Sequence, residues 1–124
     1  MKELIIKKCS HCGATVKVLN DCKCDCGIQC CGEEMKTLIP NSTDAAVEKH
    51  VPTYEVKDGD IYVKVNHVME EDHYIEWISI VFEDGEVTTY FKPGDEATVV
   101  SSYVPGSTIY AYCNKHGLWK ADVE

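Results

Sequence analysis

Seven of the eight cysteines lie between residues 9 and 31, and this density most constrains how the first third of the chain can fold. A segment of about 36 residues is too short to build a stable hydrophobic core alone. Dense cysteines serve as disulfides in secreted domains or as metal ligands elsewhere. Because residues 1–8 lack the apolar run of a signal peptide, metal binding is favoured. We therefore predict that residues 1–36 form a small β module that folds around a metal.

Two cysteine pairs have the spacing of a closed four-thiolate site. Cys9 and Cys12 are two residues apart and are followed by a glycine that lets the backbone turn. Cys30 and Cys31 are adjacent and supply a second pair. Since four thiolates complete a tetrahedral site, we expect His11 to be an exposed loop residue rather than a ligand.

Three further cysteines, Cys22, Cys24 and Cys26, alternate with charged residues in a turn-rich loop. Their spacing leaves three interpretations open. They are exposed thiols that are free or able to pair, alternative ligands of the N-terminal centre, or part of an iron–sulfur cluster site.

Residues 44–124 have the pattern of a β domain, which a linker at 37–43 separates from the cysteine-rich module. One helical turn is predicted at 44–50, with Thr43 as its N-cap and Pro52 beyond its end. Six or seven short strands follow, at 54–57, 61–65, 74–82, 86–91, 97–103 and, last, 107–112. This spacing predicts an antiparallel sandwich of immunoglobulin-like size. Strict alternation along 74–82 would place Ile75 on the same face as Trp77 and Ser79.

The charge is uneven along the chain. The whole chain has a formal net charge of −9, and residues 37–124 carry six Lys against sixteen Asp and Glu. Such an acidic domain argues against nucleic acid or anionic lipid as a partner, and an anionic substrate would need a local positive charge. No run approaches the roughly 18 apolar residues of a membrane span. We expect a cytoplasmic protein.

A thiol and an imidazole three residues apart, Cys113 and His116, lie between a β-like run and a glycine. Both side chains are metal ligands when they are deprotonated. Three more histidines occur at turns or strand starts. If these groups meet, they form a five-coordinate metal site with one open face, composed of His50, His67, His73, Cys113 and His116.

The segments that carry these ligands resemble the superoxide reductases. They are Glu48-Lys49-His50-Val51-Pro52, residues 67–77 (His-Val-Met-Glu-Glu-Asp-His-Tyr-Ile-Glu-Trp) and residues 112–119 (Tyr-Cys-Asn-Lys-His-Gly-Leu-Trp). The N-terminal cysteine segments resemble the desulforedoxin-type domain of the two-iron members, the desulfoferrodoxins. The match covers essentially the whole chain, and the segments in this order are highly specific.

This resemblance implies an enzyme that reduces superoxide to hydrogen peroxide at a non-haem iron with four equatorial imidazoles and an axial Cys113 thiolate. It implies that Glu48 can occupy the sixth position of ferric iron, and that Lys49 attracts superoxide and helps its protonation. It further implies a rubredoxin-like electron donor, a role in detoxification and a homodimer. The N-terminal centre would hold a second iron, with zinc or an iron–sulfur cluster as alternatives.

Two departures and two rival functions bear on this interpretation. The family usually has proline where this chain has Val68, and the Cys22, Cys24 and Cys26 loop is not part of the ordinary desulforedoxin pattern. A copper electron carrier would need a weak axial methionine after His116, and none is present. A non-enzymatic zinc-ribbon module explains the N-terminal cysteines but not the histidines. A non-catalytic electron-transfer metalloprotein is the alternative function.

Overall fold

The computed structural model describes residues 3–124 and divides them into two compact units. The smaller unit is Leu4–Ile39, and the larger contains Glu3 and Pro40–Glu124. The change from one unit to the other therefore falls inside the predicted linker, although Thr37 belongs to a strand of the smaller unit. Met1 and Lys2 of the predicted first domain lie outside the described residues. Between residues 3 and 124, no helix is long and apolar enough to cross a membrane.

The smaller unit consists of short strands. They are β1 (Ile6–Lys8), β2 (Thr15–Lys17), β3 (Gln29–Cys30), β4 (Glu33–Glu34) and β5 (Lys36–Thr37). The antiparallel order β2-β1-β5 forms one sheet, and β3 and β4 form a separate hairpin.

Few side chains are buried in this unit, and they are Ile6, Lys7, Cys9 and Met35. All three residues of β2 are exposed. The two residues that join β3 to β4, Cys31 and Gly32, have φ of 52° and 77°. Positive φ at both central positions is typical of the tight turn that matches the twist of a hairpin. The unit has too small a core to explain its fold by apolar burial alone.

The larger unit contains one helical turn and seven strands. They are α1 (Val47–His50), β6 (Thr53–Lys57), β7 (Asp60–Lys64), β8 (Ile75–Val81), β9 (Glu86–Tyr90), β10 (Thr98–Ser102), β11 (Thr108–Cys113) and β12 (Gly117–Asp122). One antiparallel sheet has the order β10-β7-β6, and the other has the order β12-β11-β8-β9.

Both sheets contribute to one hydrophobic core. Ile61 and Val63 come from β7, and Ile78 and Ile80 come from β8. Each pair alternates along its strand, as expected when one face of a sheet packs against another sheet. The predicted class is confirmed: the chain is mainly β, with a small N-terminal β module and an immunoglobulin-like antiparallel sandwich.

Two predictions, the end of the last strand and the helix cap, are wrong. The sheet was predicted to end at residue 112, but β12 follows and pairs along the whole of β11. The glycine at its start is typical of a turn, and here Gly117 (φ 79°) begins the strand. The N-cap of α1 is Ala46, which makes no side-chain capping bond, and not Thr43.

The alternation predicted along β8 is also wrong, because a bulge interrupts it. Cys113 pairs with Ile75, whereas the preceding Tyr112 pairs with Trp77, so Glu76 is an extra residue. A bulge lets two residues oppose one and changes which side chains share a face. Ile75 therefore lies in the core with Ile78 rather than on the face of Trp77.

Candidate metal centres

Four imidazoles and one thiol meet at one end of the sandwich. The structure brings together one ligand atom from each of the five residues, all within 4.8 Å of one another, namely His50, His67, His73, Cys113 and His116. His50 ends the helical turn α1, and Cys113 ends β11. His67 and His73 lie in the connection from β7 to β8, and His116 lies in the turn from β11 to β12.

The ring contacts give the cyclic order of the imidazoles. Neighbouring ring centroids are 4.7 Å apart for His50 and His67, 4.5 Å for His67 and His73, 5.0 Å for His73 and His116, and 4.9 Å for His116 and His50. These four contacts close a ring. His50 therefore lies across from His73, and His67 lies across from His116.

The thiol occupies an axial position relative to this ring. Cys113 Sγ lies 3.5 Å from His67 Nε2 and 3.9 Å from His116 Nδ1, two atoms at opposite corners. Neighbouring corners are 3.1 Å apart between His50 Nε2 and His116 Nδ1, and 3.3 Å between His73 Nε2 and His116 Nδ1. With metal–nitrogen bonds of about 2.1 Å, ligands at right angles lie about 3.0 Å apart. The five atoms therefore fit a square pyramid with the sulfur at its apex.

Burial shows which side of the pyramid is open. Cys113 is fully buried and belongs to the hydrophobic core, whereas His67, His73 and His116 are only partly buried. The thiol side of the imidazole plane thus faces the protein interior. Solvent therefore reaches the site from the side of the three partly buried imidazoles, since His50 is also buried.

The same burial shifts the pKa values of the ligands in opposite directions. Loss of hydration lowers the pKa of His67 and of His73, with further lowering from neighbouring imidazoles. Burial raises the pKa of Cys113. The backbone N–H groups of Lys115 and His116 donate to its sulfur and lower this pKa, but burial has the larger effect. Neutral imidazoles are ready metal ligands, and a bound cation would favour the Cys113 thiolate.

Backbone carbonyls orient two of the rings. His50 Nδ1 lies 2.7 Å from the carbonyl oxygen of Ala46, and His67 Nδ1 contacts the carbonyl oxygen of Val68. A second bond of this kind fixes a ligating ring and its tautomer. The resemblance described above implies a proline at the position of Val68. Since both residues offer a carbonyl, the change keeps the acceptor for His67.

Trp119 contacts two of the ligand segments and was not identified from the sequence. Its ring stacks on that of His50, with centroids 4.8 Å apart and planes 24° apart. Its Nε1–H donates to the carbonyl oxygen of His116 at 3.1 Å. Trp119 is buried on β12, the strand that the sequence analysis missed, and therefore could not be placed beside the site beforehand.

Asn114 links two ligand-bearing segments and was also missed. Its side-chain Oδ1 accepts from the N–H of Tyr74 at 3.0 Å, and its Nδ2 donates to the carbonyl oxygen of Asp72 at 2.9 Å. These two groups flank His73. The amide follows Cys113 directly, so it holds the His73 backbone against the turn that carries the thiol and His116. Only its position inside the Cys-x-x-His segment offered a signal.

Asn114→Ala is expected to weaken metal binding at the five-ligand site by about 10–100-fold, the usual effect of losing an outer-shell partner. Asn114→Asp keeps the acceptor for Tyr74 but loses the donor to Asp72, so an intermediate loss is expected. Competition with a chelator measures both affinities. Asn20→Ala, which removes an exposed loop amide of the smaller unit, is the control. Equal affinities for Asn114→Ala and Asn20→Ala would exclude this positioning role.

Glu48 and Lys49 lie in the helical turn that ends at His50, and both are exposed. No metal-ligating cluster within residues 3–124 includes them. Lys49 is adjacent in sequence to a ligand of the site and carries a charge opposite to that of the acidic domain. The structure therefore places both at the surface beside the His50 segment.

The second centre is formed by Cys9, Cys12, Cys30 and Cys31, whose sulfur atoms lie within 4.8 Å of one another. Cys12 Sγ is 3.7 Å from Cys30 Sγ, and Cys30 Sγ is 4.0 Å from Cys31 Sγ. A tetrahedral site with metal–sulfur bonds of about 2.3 Å has its sulfurs about 3.8 Å apart. The four thiols therefore fit one tetrahedral metal ion. His11 is exposed, forms a 3.0 Å pair with Glu33 and is not in the cluster.

The thiols of this centre influence each other's ionisation. The N–H groups of Cys12 and His11 donate to the sulfur of Cys9 and lower its pKa to about 6. Hydrogen bonding with Cys9, and then with Cys12, raises the pKa of Cys30 to about 12. One thiolate thus forms readily, and further thiolates beside it are disfavoured. A cation between the sulfurs removes that conflict.

The loop cysteines are not ligands of the second centre. Cys24 and Cys26 form a disulfide, and Cys22 is a free, exposed thiol. None of the three belongs to the four-cysteine cluster. The structure does not bring them into that cluster, and the alternatives in which they supply extra ligands or hold an iron–sulfur cluster stay predictions. The structure instead shows the pairable thiols of an exposed loop.

The fold and its two centres define a two-unit β metalloprotein with a thiolate-only site and a histidine–thiolate site. The family model for desulfoferrodoxin matches residues 42–122. A desulfoferrodoxin from Desulfarculus baarsii is 41% identical over 128 residues, covering 98% of each chain. A desulfoferrodoxin homolog from Archaeoglobus fulgidus is 43% identical over 124 residues, covering 94% of each. The chain belongs to the desulfoferrodoxin family.

A solved structure extends this similarity to the whole fold. The superoxide reductase from Treponema pallidum superposes with a TM-score of 0.69 at 25% sequence identity. The match covers 98% of this chain and 100% of that chain. The resemblance seen in the sequence is thereby confirmed at the level of family and fold.

Proposed function

We propose that this protein is a superoxide reductase, which converts superoxide to hydrogen peroxide by one electron at the five-ligand site. The observation that carries the proposal is the meeting of four imidazoles and one fully buried thiol, whose ligand atoms lie within 4.8 Å of one another. The overall reaction consumes one superoxide, one electron and two protons for each hydrogen peroxide. The similarity to the Treponema pallidum enzyme supports it.

The donor set suits ferrous iron. Imidazoles hold divalent first-row metals, and a thiolate is a strongly electron-donating axial ligand. Iron held by His50, His67, His73, Cys113 and His116 would supply the transferred electron and a position at which superoxide reacts. The chain supplies the rest: it excludes water from the Cys113 side, fixes the ring tautomers through carbonyls, and leaves the reacting side accessible to protons from solvent.

We further propose that Lys49 attracts superoxide to the open side and assists protonation, and that Glu48 is the group able to occupy the sixth position. Residues 37–124 carry a net charge of −10 from six Lys and sixteen Asp and Glu, which disfavours an anionic substrate. An ammonium group next to the His50 ligand opposes that field locally.

Lys49→Ala is expected to slow the second-order reaction with superoxide by several-fold, up to about tenfold at low ionic strength. It should also weaken the dependence of that rate on salt, because the attraction that salt screens has been removed. Stopped-flow or pulse-radiolysis rates across a salt series measure both effects. Lys57→Ala has the same charge change on the exposed strand β6 and is the control. Identical salt slopes in the two variants would refute the role of Lys49.

The four-cysteine centre is proposed to hold a second iron, with structural zinc or an iron–sulfur cluster as the alternatives. A rubredoxin-like protein is the proposed electron donor, the homodimer is the proposed assembly, and the cytoplasm is the proposed location.

Metal analysis of the purified chain tests the cofactor proposal. About two irons per chain would support two iron centres, and about one iron with one zinc would make the N-terminal centre structural. Copper without iron would refute the reductase.

A further inference from the structure

Neither ligand cluster among residues 3–124 includes the loop cysteines Cys22, Cys24 and Cys26. All three residues are exposed, and the four thiols of the nearby centre already complete a tetrahedron without them. Cys24 and Cys26 are joined with their Cα atoms 5.4 Å apart, within the usual range for a disulfide. One disulfide and one free thiol therefore occupy five consecutive exposed residues.

Hydrogen bonds hold the loop at both ends. At its start, Lys7 Nζ lies 2.9 Å from Asp21 Oδ1, and the same oxygen accepts from the N–H of Cys22 at 2.8 Å. The Lys7 side chain is 5% exposed, so this anchor reaches into the small core. At the other end, Gln29 Nε2 donates to the carbonyl oxygen of Cys26 at 2.7 Å. The three cysteines therefore lie in a segment that hydrogen bonds hold at Asp21 and at Cys26.

The free thiol is directed towards the disulfide segment. Cys22 Sγ lies 3.8 Å from the carbonyl oxygen of Cys24. The spacing from Cys22 to Cys24 equals that from Cys24 to Cys26, so either pair can form the same small ring. An exposed thiolate next to a disulfide can attack it, which gives the loop one disulfide and one thiol in interchangeable positions.

We propose that Cys22, Cys24 and Cys26 form a thiol–disulfide site that takes hydrogen peroxide as oxidant and a dithiol as reductant. Hydrogen peroxide is the product of the proposed superoxide reduction, but the chemistry needs only peroxide and does not depend on its source. The site would thus exchange two electrons at a time, whereas the proposed iron reaction transfers one.

The chemical steps balance as follows. A dithiol reduces the Cys24–Cys26 disulfide: two electrons and two protons pass to the loop, and the dithiol becomes a disulfide. One loop thiolate then attacks peroxide, so that an S–O bond forms, the O–O bond breaks and water leaves after protonation. A second loop thiol attacks that sulfur, the S–S bond forms, and the S–O bond breaks with loss of a second water. Two thiols and one hydrogen peroxide give one disulfide and two waters.

Labelling of the full-length, metal-loaded protein tests this proposal. The protein is reduced with dithiothreitol, desalted without oxygen, and divided into samples with and without one equivalent of hydrogen peroxide. N-ethylmaleimide then labels it under native conditions before peptide mass spectrometry and metal analysis. Without peroxide, we expect label on Cys22, Cys24 and Cys26. With peroxide, we expect one label, one loop disulfide and unchanged metal content.

Two variants sharpen the result. Cys22→Ser keeps Cys24 and Cys26 but removes the exchanging thiol, so peroxide should leave only a Cys24–Cys26 disulfide and no loop thiol to label, whereas the original chain keeps one label. The double variant Cys24→Ser/Cys26→Ser retains one loop thiol, so it should form no loop disulfide, and its dithiol-dependent peroxide consumption should fall at least about tenfold.

Three results would overturn the proposal. In the first, the loop thiols would remain fully labelled after peroxide. In the second, peroxide would oxidise them to sulfinic acid without forming a disulfide. In the third, they would be protected from the label until the metal is lost. Each can occur while superoxide reduction is normal, because the test uses added peroxide. Conversely, loss of superoxide reduction in the original chain would refute the proposed function without affecting loop chemistry.

Discussion

Cys113→Ser is expected to lower the rate of superoxide reduction by more than about 100-fold, beyond the usual effect of losing an outer-shell partner. Cys113 is the only sulfur among the five ligands, and it is fully buried. A serine hydroxyl in this buried position is a far weaker electron donor than a thiolate. The loss should therefore appear in the rate with saturating superoxide as well as in metal affinity.

The measurement for Cys113→Ser is rapid mixing of the iron-loaded variant with superoxide, together with the absorption spectrum of its oxidised form. The thiolate-to-iron charge-transfer absorption that comes from the five-ligand site should disappear with the activity, whereas any absorption from the four-cysteine centre should remain. Cys22→Ser makes the same atomic change at an exposed loop thiol and should retain both. If Cys113→Ser kept iron and full activity, the axial thiolate would have no part in the reaction.

Cys12→Ser is expected to unfold the smaller unit, Leu4–Ile39, while the sandwich remains folded. This unit buries few side chains, and its strands have two or three residues, so metal binding must supply most of its stability. Structural metal sites of this kind contribute about 10–16 kcal/mol at neutral pH. Loss of one of four thiolates should therefore release the metal and remove amide protection throughout the unit.

Hydrogen exchange resolved by unit measures the effect of Cys12→Ser. Cys22→Ser is a matched control, because Cys12 and Cys22 are both exposed thiols of the same unit. Protection and N-terminal metal should persist in this control, and the five-ligand site should keep its metal in both variants. Full protection of Leu4–Ile39 in Cys12→Ser without metal would show that the unit folds on its apolar contacts.

Much of the architecture was predictable because local pattern and ligand spacing agree. Alternating strands with turn residues between them predicted the sandwich, and paired cysteines around a glycine turn predicted a four-sulfur cluster. The set of four histidines and Cys113 was proposed from residue type and resemblance. Each of these signals depends on short sequence distances or on the ligand chemistry itself.

The errors arose where tertiary pairing decides the local structure. The bulge at Glu76 depends on the register between β8 and β11. The alternation of apolar and polar residues along one strand does not reveal this register. Strand β12 begins with a positive-φ glycine, so its start resembles a turn. Missing that strand also concealed Trp119, whose contacts with the His50 ring and the His116 carbonyl depend on it.

The cysteine loop shows a different limit. Spacing alone could not decide whether Cys22, Cys24 and Cys26 were ligands, cluster thiols or pairable thiols. In the structure, four other sulfurs surround one point, whereas Cys24 and Cys26 bond to each other. The sequence shows how many potential ligands the chain has, but it does not show which of them come together at one point.

The stoichiometry of superoxide consumption tests the central proposal most directly. Protein reduced beforehand and freed of excess reductant is mixed with less than one equivalent of superoxide, and hydrogen peroxide and dioxygen are then measured. The double variant Cys24→Ser/Cys26→Ser is used so that the loop cannot consume peroxide as a dithiol. A reductase gives one hydrogen peroxide per superoxide and no dioxygen. One hydrogen peroxide and one dioxygen from every two superoxides would show dismutation and contradict the proposed function.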